Sequence, residues 1–223
     1  MESDSKILFC HIPKCSGTNI NHNISLKYKE NYKYYIHRIL QYDLHLFKNY
    51  YKFAIIRDPI EKLVSLYFYQ LGRIDNMKHE NCLSTCEGGN WLKVSNLYKK
   101  YNIIDIYSFL NSYKIFYENE IKPEILELKT HNEKINMTSF YIIGYLPQYL
   151  FICDNNYNLL VDDVINIKDC DNFMKKKFDI TLPKKKLNLH KHSNDNYYNY
   201  LTEQNINDIK EIYKDDYTFL INK

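Results

Sequence analysis

Two short stretches of the chain hold residue types whose spacing suits anion chemistry. The first is Pro13-Lys14-Cys15-Ser16-Gly17-Thr18-Asn19, within the run KILFCHIPKCSGTN from Lys6 to Asn19. An apolar segment ends there, a short turn follows, and a helix is expected from about Thr18. Backbone N–H groups at such a strand–turn–helix junction point outward, and the helix dipole favours negative charge. Lys14 adds a mobile positive charge, and Ser16 and Thr18 add hydroxyl donors. The second stretch is FAIIRDPIEKLVSLYFY, Phe53–Tyr69. Arg57 closes its apolar run with a planar fork suited to bidentate phosphate binding. Asp58 at the N-cap, Pro59 at N1 and Glu61 at N3 then read as a helix start, with Ser65 on the second turn.

Each residue also has a plainer role: Arg57 paired with Asp58 or Glu61, Lys14 as a solvated loop lysine. The coincidence of two such junctions, each after an apolar strand and before a helix, favours paired anion subsites. Ligands of open parallel sheets bind beyond the carboxyl ends of the strands, so Lys14 and Arg57 are expected on one rim. Two subsites imply a ligand with two phosphate-type groups. His37, between the stretches at the end of a short strand, is the candidate proton acceptor, since an imidazole works near neutral pH. Its plainer role is a surface strand-end histidine. His11 is the alternative base, though strand alternation reads it as structural or supporting.

The elements that must position these groups alternate. Strand Ile7–Ile12, a helix, strand Lys33–His37, a helical stretch Tyr42–Tyr50, strand Phe53–Arg57 and helix Pro59–Gly72 follow in order. Near-continuous apolar strands alternating with helices predict an α/β fold: a P-loop-like three-layer arrangement with a central parallel sheet flanked by helices. Residues 73–95, polar and with Gly88–Gly89, read as a surface loop or lid. Residues 96–140 read as mostly helical, with Asp105–Tyr113 clearest. Tyr149–Cys153 and Leu159–Ile167 read as two strands around an Asp154–Asn158 turn. Asp169–Phe178 reads as an amphipathic helix, Lys184–Asn199 as a basic irregular stretch, and Thr202–Tyr217 as a helix with Thr202 at its N-cap. With no repeat or low-complexity linker, residues 1–223 read as a single domain.

Bulk properties bound the classes. A formal charge of +3, from 30 basic and 27 acidic residues among 223, gives no global field for nucleic acid. The N-terminal MESDSK lacks the apolar core of a signal peptide, and no stretch approaches the ~20 apolar residues of a membrane span. A soluble cytoplasmic protein without a membrane span is therefore expected. The six cysteines are scattered and read as free thiols. His79, Cys82 and Cys86 form H-x2-C-x3-C without a fourth ligand at the usual spacing, so no metal is expected.

The motif His11-Ile12-Pro13-Lys14-Cys15-Ser16-Gly17-Thr18 resembles the 5′-phosphosulfate loop of sulfotransferases, and Phe53–Tyr69 is similar to their 3′-phosphate motif. The likeness is to the carbohydrate-type, Golgi-related branch with its bacterial and viral relatives. Pro147-Gln148-Tyr149-Leu150 resembles a Pro-Gln segment of the family, and Leu182-Pro183, Ser193 and Tyr197–Tyr198 fall in the expected order. The resemblance implies transfer of a sulfuryl group from 3′-phosphoadenosine 5′-phosphosulfate (PAPS) to an acceptor hydroxyl, on a carbohydrate. It assigns Lys14 to the sulfate and bridging oxygen, Cys15–Asn19 to the 5′-phosphate, and Arg57 with Ser65 to the 3′-phosphate. His37 falls where the family often has a histidine.

Two departures accompany the likeness. Cys15 replaces the usual threonine, which predicts weaker donor affinity. Gly144 and Tyr145 stand where relatives frequently place a histidine, which shifts weight to His37. The rival readings are a P-loop-type nucleotide or small-molecule kinase, disfavoured because G-x-x-x-x-G-K-[ST] is absent, and a nucleotide-binding interaction module without catalysis. The cluster Lys184–Lys186 with His190–His192 reads as a solvated loop, or as a loop closing over the nucleotide or greeting an anionic acceptor. Acceptor identity (a glycan, a protein tyrosine or a small phenol) and oligomeric state have no legible code.

Overall fold

The computed structural model describes residues 5–79, 86–130, 140–183 and 197–221. They gather into two compact units with interleaved segments: the described residues within 5–58, 147–183 and 215–221 in the first, and those within 59–146 and 197–214 in the second.

The first unit is built on a four-stranded sheet of β1 (Ile7–His11), β2 (Tyr32–Ile36), β3 (Tyr51–Ile56) and β4 (Asp163–Asn166). The order is β2-β1-β3-β4, and every pairing is parallel. Ile7, Leu8 and Phe9 are fully buried, as a central strand covered on both faces requires. Phe9 stacks on Phe53 of β3 at 4.9 Å, and Phe53 meets Phe178 at 5.3 Å. Phe178 ends α8 (Cys170–Phe178), which packs on β4. Helix α1 (Gly17–Tyr28) connects β1 to β2 and buries Ile20, Ile24 and Tyr28, one stripe at a spacing of four. Lys27 donates to the Phe178 carbonyl at 2.7 Å, so a cation satisfies the C-terminal end of α8.

The second unit is helical. It holds α2 (Pro59–His79), α3 (Cys86–Lys100), α4 (Ile106–Phe116), α5 (Lys122–Thr130), α6 (Phe140–Ile143) and α9 (Glu203–Ile212). Tyrosine hydroxyls satisfy one another in its core: Tyr113 and Tyr213 share a 2.6 Å hydrogen bond, and Tyr98 and Tyr145 both donate to Gln70. Lys62 is buried, but its ammonium donates to the carbonyls of Gly144 and Leu146 at 2.7 and 3.0 Å. The fold class is α/β three-layer, with a central parallel sheet flanked by helices.

Several elements differ from the sequence expectations. The β2–β3 crossover carries two 3₁₀ turns, Leu40–Tyr42 and Leu44–Phe47, instead of one helical stretch over Tyr42–Tyr50. Asp43 separates them, and its buried carboxylate accepts the Tyr35 hydroxyl at 2.8 Å. Residues 73–79 continue α2 and residues 86–95 belong to α3, so the expected loop is largely helix; Trp91, Val94 and Tyr98 are its buried stripe. Cys82 lies outside the described residues. Tyr149–Cys153 is no strand: Tyr149–Ile152 forms the short helix α7, and Cys153 pairs with Leu159 only as an isolated antiparallel bridge. The Asp154–Asn158 turn stands as expected, with the Asp154 carboxylate accepting the amides of Asn156 and Asn158. Of Leu159–Ile167, only Asp163–Asn166 joins the sheet. Thr202 caps α9 as expected; α9 ends at Ile212, and after Tyr213 the helical turn Lys214–Asp216 and a π-helical turn Tyr217–Ile221 follow. Lys184–Lys186, His190–His192 and Ser193 lie outside the described residues.

Candidate functional site

β1 runs directly into the lysine turn. Lys14 and Ser16 take left-handed backbone angles, φ 66° and 62°, while Cys15 between them does not. Such conformations cost on the order of 1 kcal/mol each for residues with a Cβ. The alternation of hand turns successive amides toward one side, an anion-binding concavity. The Cys15 amide closes the turn on the Ile12 carbonyl at 3.3 Å. Helix α1 then begins at Gly17, and Ser16, its N-cap, makes no side-chain capping bond. The first amides of the helix, at Gly17, Thr18 and Asn19, have no acceptor within the helix.

Beneath the turn, the side chain of His11 takes the space that a residue larger than glycine would need at 17. A Cβ added to Gly17 would lie 1.9 Å from His11 Nε2. The φ of Gly17 is not positive, so this glycine serves close approach. The His11 ring shares a 2.6 Å hydrogen bond with the Tyr34 hydroxyl and lies 4.6 Å from the His37 ring. Burial first, and then electrostatic interaction with His37 and Lys14, push its pKa down to about 3. At neutral pH His11 is therefore an uncharged wedge, in keeping with the supporting role expected of it. His37 follows the last residue of β2, with φ 51°, and its amide extends the ladder to the His11 carbonyl at 3.1 Å.

Arg57 follows the last residue of β3. Its guanidinium Nη1 reaches the Lys14 carbonyl at 3.5 Å. The sequence-predicted Lys14, Arg57 and His37 therefore stand at the carboxyl ends of β1, β3 and β2, three neighbouring strands. The chain leaves β1 on one side to form β2 and returns on the other as β3, so β1 and β3 flank the topological switch point. That is where open α/β sheets bind ligands.

Two further residues of this corner were not assigned a role from the sequence. Gln148 and Asp216 are both fully buried. The Gln148 side chain accepts the Arg57 amide through Oε1 at 2.9 Å and donates to the Arg57 carbonyl through Nε2 at 2.7 Å. The Cys15 thiol points to the same Oε1 at 3.4 Å and to the Pro13 carbonyl at 3.5 Å. Asp216 accepts the backbone amides of Gln148 and Tyr149, each at 2.9 Å, and Gln148 Nε2 at 3.3 Å. Pro147-Gln148 carries a family likeness in the sequence. Nothing local marks Asp216.

A family model described as Sulfotransferase family matches residues 1–220. The chain belongs to the sulfotransferase family. No curated protein and no solved structure matches it. The turn and arginine thus belong to a sulfotransferase, whose chemistry is sulfuryl transfer to an acceptor. Pro13 and Cys15 of this sulfotransferase are buried, Lys14, Ser16 and Asn19 half-buried, and Thr18 exposed. Ser65 is half-buried on α2, in the second unit. A Cβ at position 144 would meet Leu66 Cδ1 at 2.6 Å, so any side chain there would have to displace the end of Leu66. Tyr145 is buried with its hydroxyl on Gln70. Among the described residues, no group of three or more His, Cys, Asp or Glu could hold a metal ion, and no helix is long and apolar enough to cross a membrane.

Proposed function

We propose that this sulfotransferase takes PAPS as donor and transfers its sulfuryl group to a hydroxyl of a carbohydrate, as one domain acting in the cytoplasm. The donor carries a 5′-phosphosulfate and a 3′-phosphate, which matches two cationic positions at adjacent strand ends. The observation that carries the reading is the approach of Arg57 to the Lys14 carbonyl across the β1–β3 switch point.

In this reading the amides of Ser16–Asn19 cradle the 5′-phosphate, with Pro13 and Cys15 as the buried underside of the turn. Arg57 takes the 3′-phosphate, and Ser65 supplies the hydroxyl that the resemblance assigns to the same group. The acceptor oxygen attacks sulfur in line, and the bond from sulfur to the 5′-phosphate oxygen breaks. Lys14 lies along the sulfate and the bridging oxygen, where negative charge grows as the nucleotide leaves. His37 takes the acceptor proton. The products are a sulfate ester and 3′,5′-ADP. In-line positioning and charge stabilisation supply the rate enhancement, as in phosphoryl transfer.

Incubation with PAPS and a glycan panel should release 3′,5′-ADP, and Lys14→Ala should reduce turnover by a factor on the order of 10². Absence of turnover on every acceptor, together with unchanged donor binding by Lys14→Ala, would overturn the proposal. Tighter binding of ATP with magnesium than of 3′,5′-ADP would favour a kinase instead.

A further inference from the structure

We propose that Gln148, seated on Asp216, is the positioning residue that sets the separation of the two anion subsites, and so the preference for a ligand carrying both phosphates. The inference rests on the donor reading above.

Arg57 lies just past the end of β3, where the strand ladder no longer fixes its backbone. Both of its peptide groups are held instead by one side-chain amide, through N–H to Oε1 and carbonyl to Nε2. That two-point clasp fixes the direction in which the guanidinium leaves the sheet. The same Oε1 meets the Cys15 thiol, inside the lysine turn. One carboxamide therefore touches both anion-bearing segments, 133 residues from one and 91 from the other. A carboxamide pivots unless its environment holds it, and Asp216 does so by accepting Nε2 and the Gln148 main-chain amide. Because Asp216 can only accept, it presents Nε2 as donor and leaves Oε1 for Arg57 and Cys15. The bonds to Arg57 are shorter than the thiol contact, so loss of Gln148 should disturb the 3′-phosphate subsite more than the lysine turn.

Calorimetry with 3′,5′-ADP and 5′-AMP on the full chain tests this. Wild type should bind 3′,5′-ADP more tightly. Gln148→Leu should weaken 3′,5′-ADP about tenfold and 5′-AMP less than threefold, the scale of one buried partner left unsatisfied. In an Arg57→Ala background Gln148→Leu should no longer change the ratio. If Gln148→Leu does not fold, isosteric Asp216→Asn carries the same comparison, with the same direction expected. Equal weakening of both nucleotides, or a ratio unchanged from wild type, overturns the positioning role. A wild-type protein that does not distinguish the nucleotides overturns the donor reading itself.

Discussion

At the scale of single residues, position 15 shows how a residue type can be legible while its role is not. The resemblance expects a threonine hydroxyl there, and cysteine suggests a lost ligand donor. The structure turns the thiol inward, fully buried, onto Gln148 and the Pro13 carbonyl. The alternation that orients side chains in a strand lapses in a turn with left-handed residues at 14 and 16, so the sequence held no clue to this direction. Cys15→Thr should therefore leave 3′,5′-ADP affinity within twofold of wild type. Its extra branch in a filled site should cost about 1 kcal/mol of stability. Calorimetry and denaturant unfolding check the two halves, and a gain in affinity would show that a hydroxyl at 15 reaches the anion.

Among elements, helix starts divide into two kinds. Asp105 and Thr202 cap α4 and α9 with reciprocal capping boxes, closed by Ser108 and Asn205. The start of α1 has no such side-chain bond. Thr202→Ala should lower stability by about 1 kcal/mol, whereas Ser16→Ala should cost only a few tenths. Thermal unfolding of both variants reads the difference, and an equal loss would mean that Ser16 caps after all. The apolar runs that became β1 and β3 were legible because each is short, apolar throughout and followed at once by turn and helix-start residues. Helix α7 was not. Its run of buried Tyr149, Phe151 and Ile152 is too short for periodicity to discriminate. What makes it helical is the Asp216 carboxylate on its first amides, supplied from 67 residues away.

For the whole molecule, the family and the parallel α/β architecture were legible, since both rest on motifs and strands in the first third of the chain. The closure of the first unit was not, because it is long-range. β4 pairs with β3 in the register Phe53↔Asp163, and the clasp at the anion corner draws on Gln148 and Asp216. A chain ending at Leu146 keeps both phosphate motifs but loses β4, Gln148 and Asp216. It exposes the edge of β3, a template for aggregation. That truncation should show no cooperative urea transition by circular dichroism, while a chain ending at Ile221 should show one. A cooperative transition in the shorter chain would place the folding determinants wholly within residues 1–146.

The contact between His11 and Gly17 has a consequence for how such a sequence can change over time. A ring and an absent side chain share one volume, six residues apart, with 1.9 Å separating His11 Nε2 from where a Cβ would stand. A lineage that acquires a side chain at 17 must displace the ring at 11, by turning it away or by replacing it with a smaller residue. The two positions therefore change together, and the ring's bond to Tyr34 is at stake when they do.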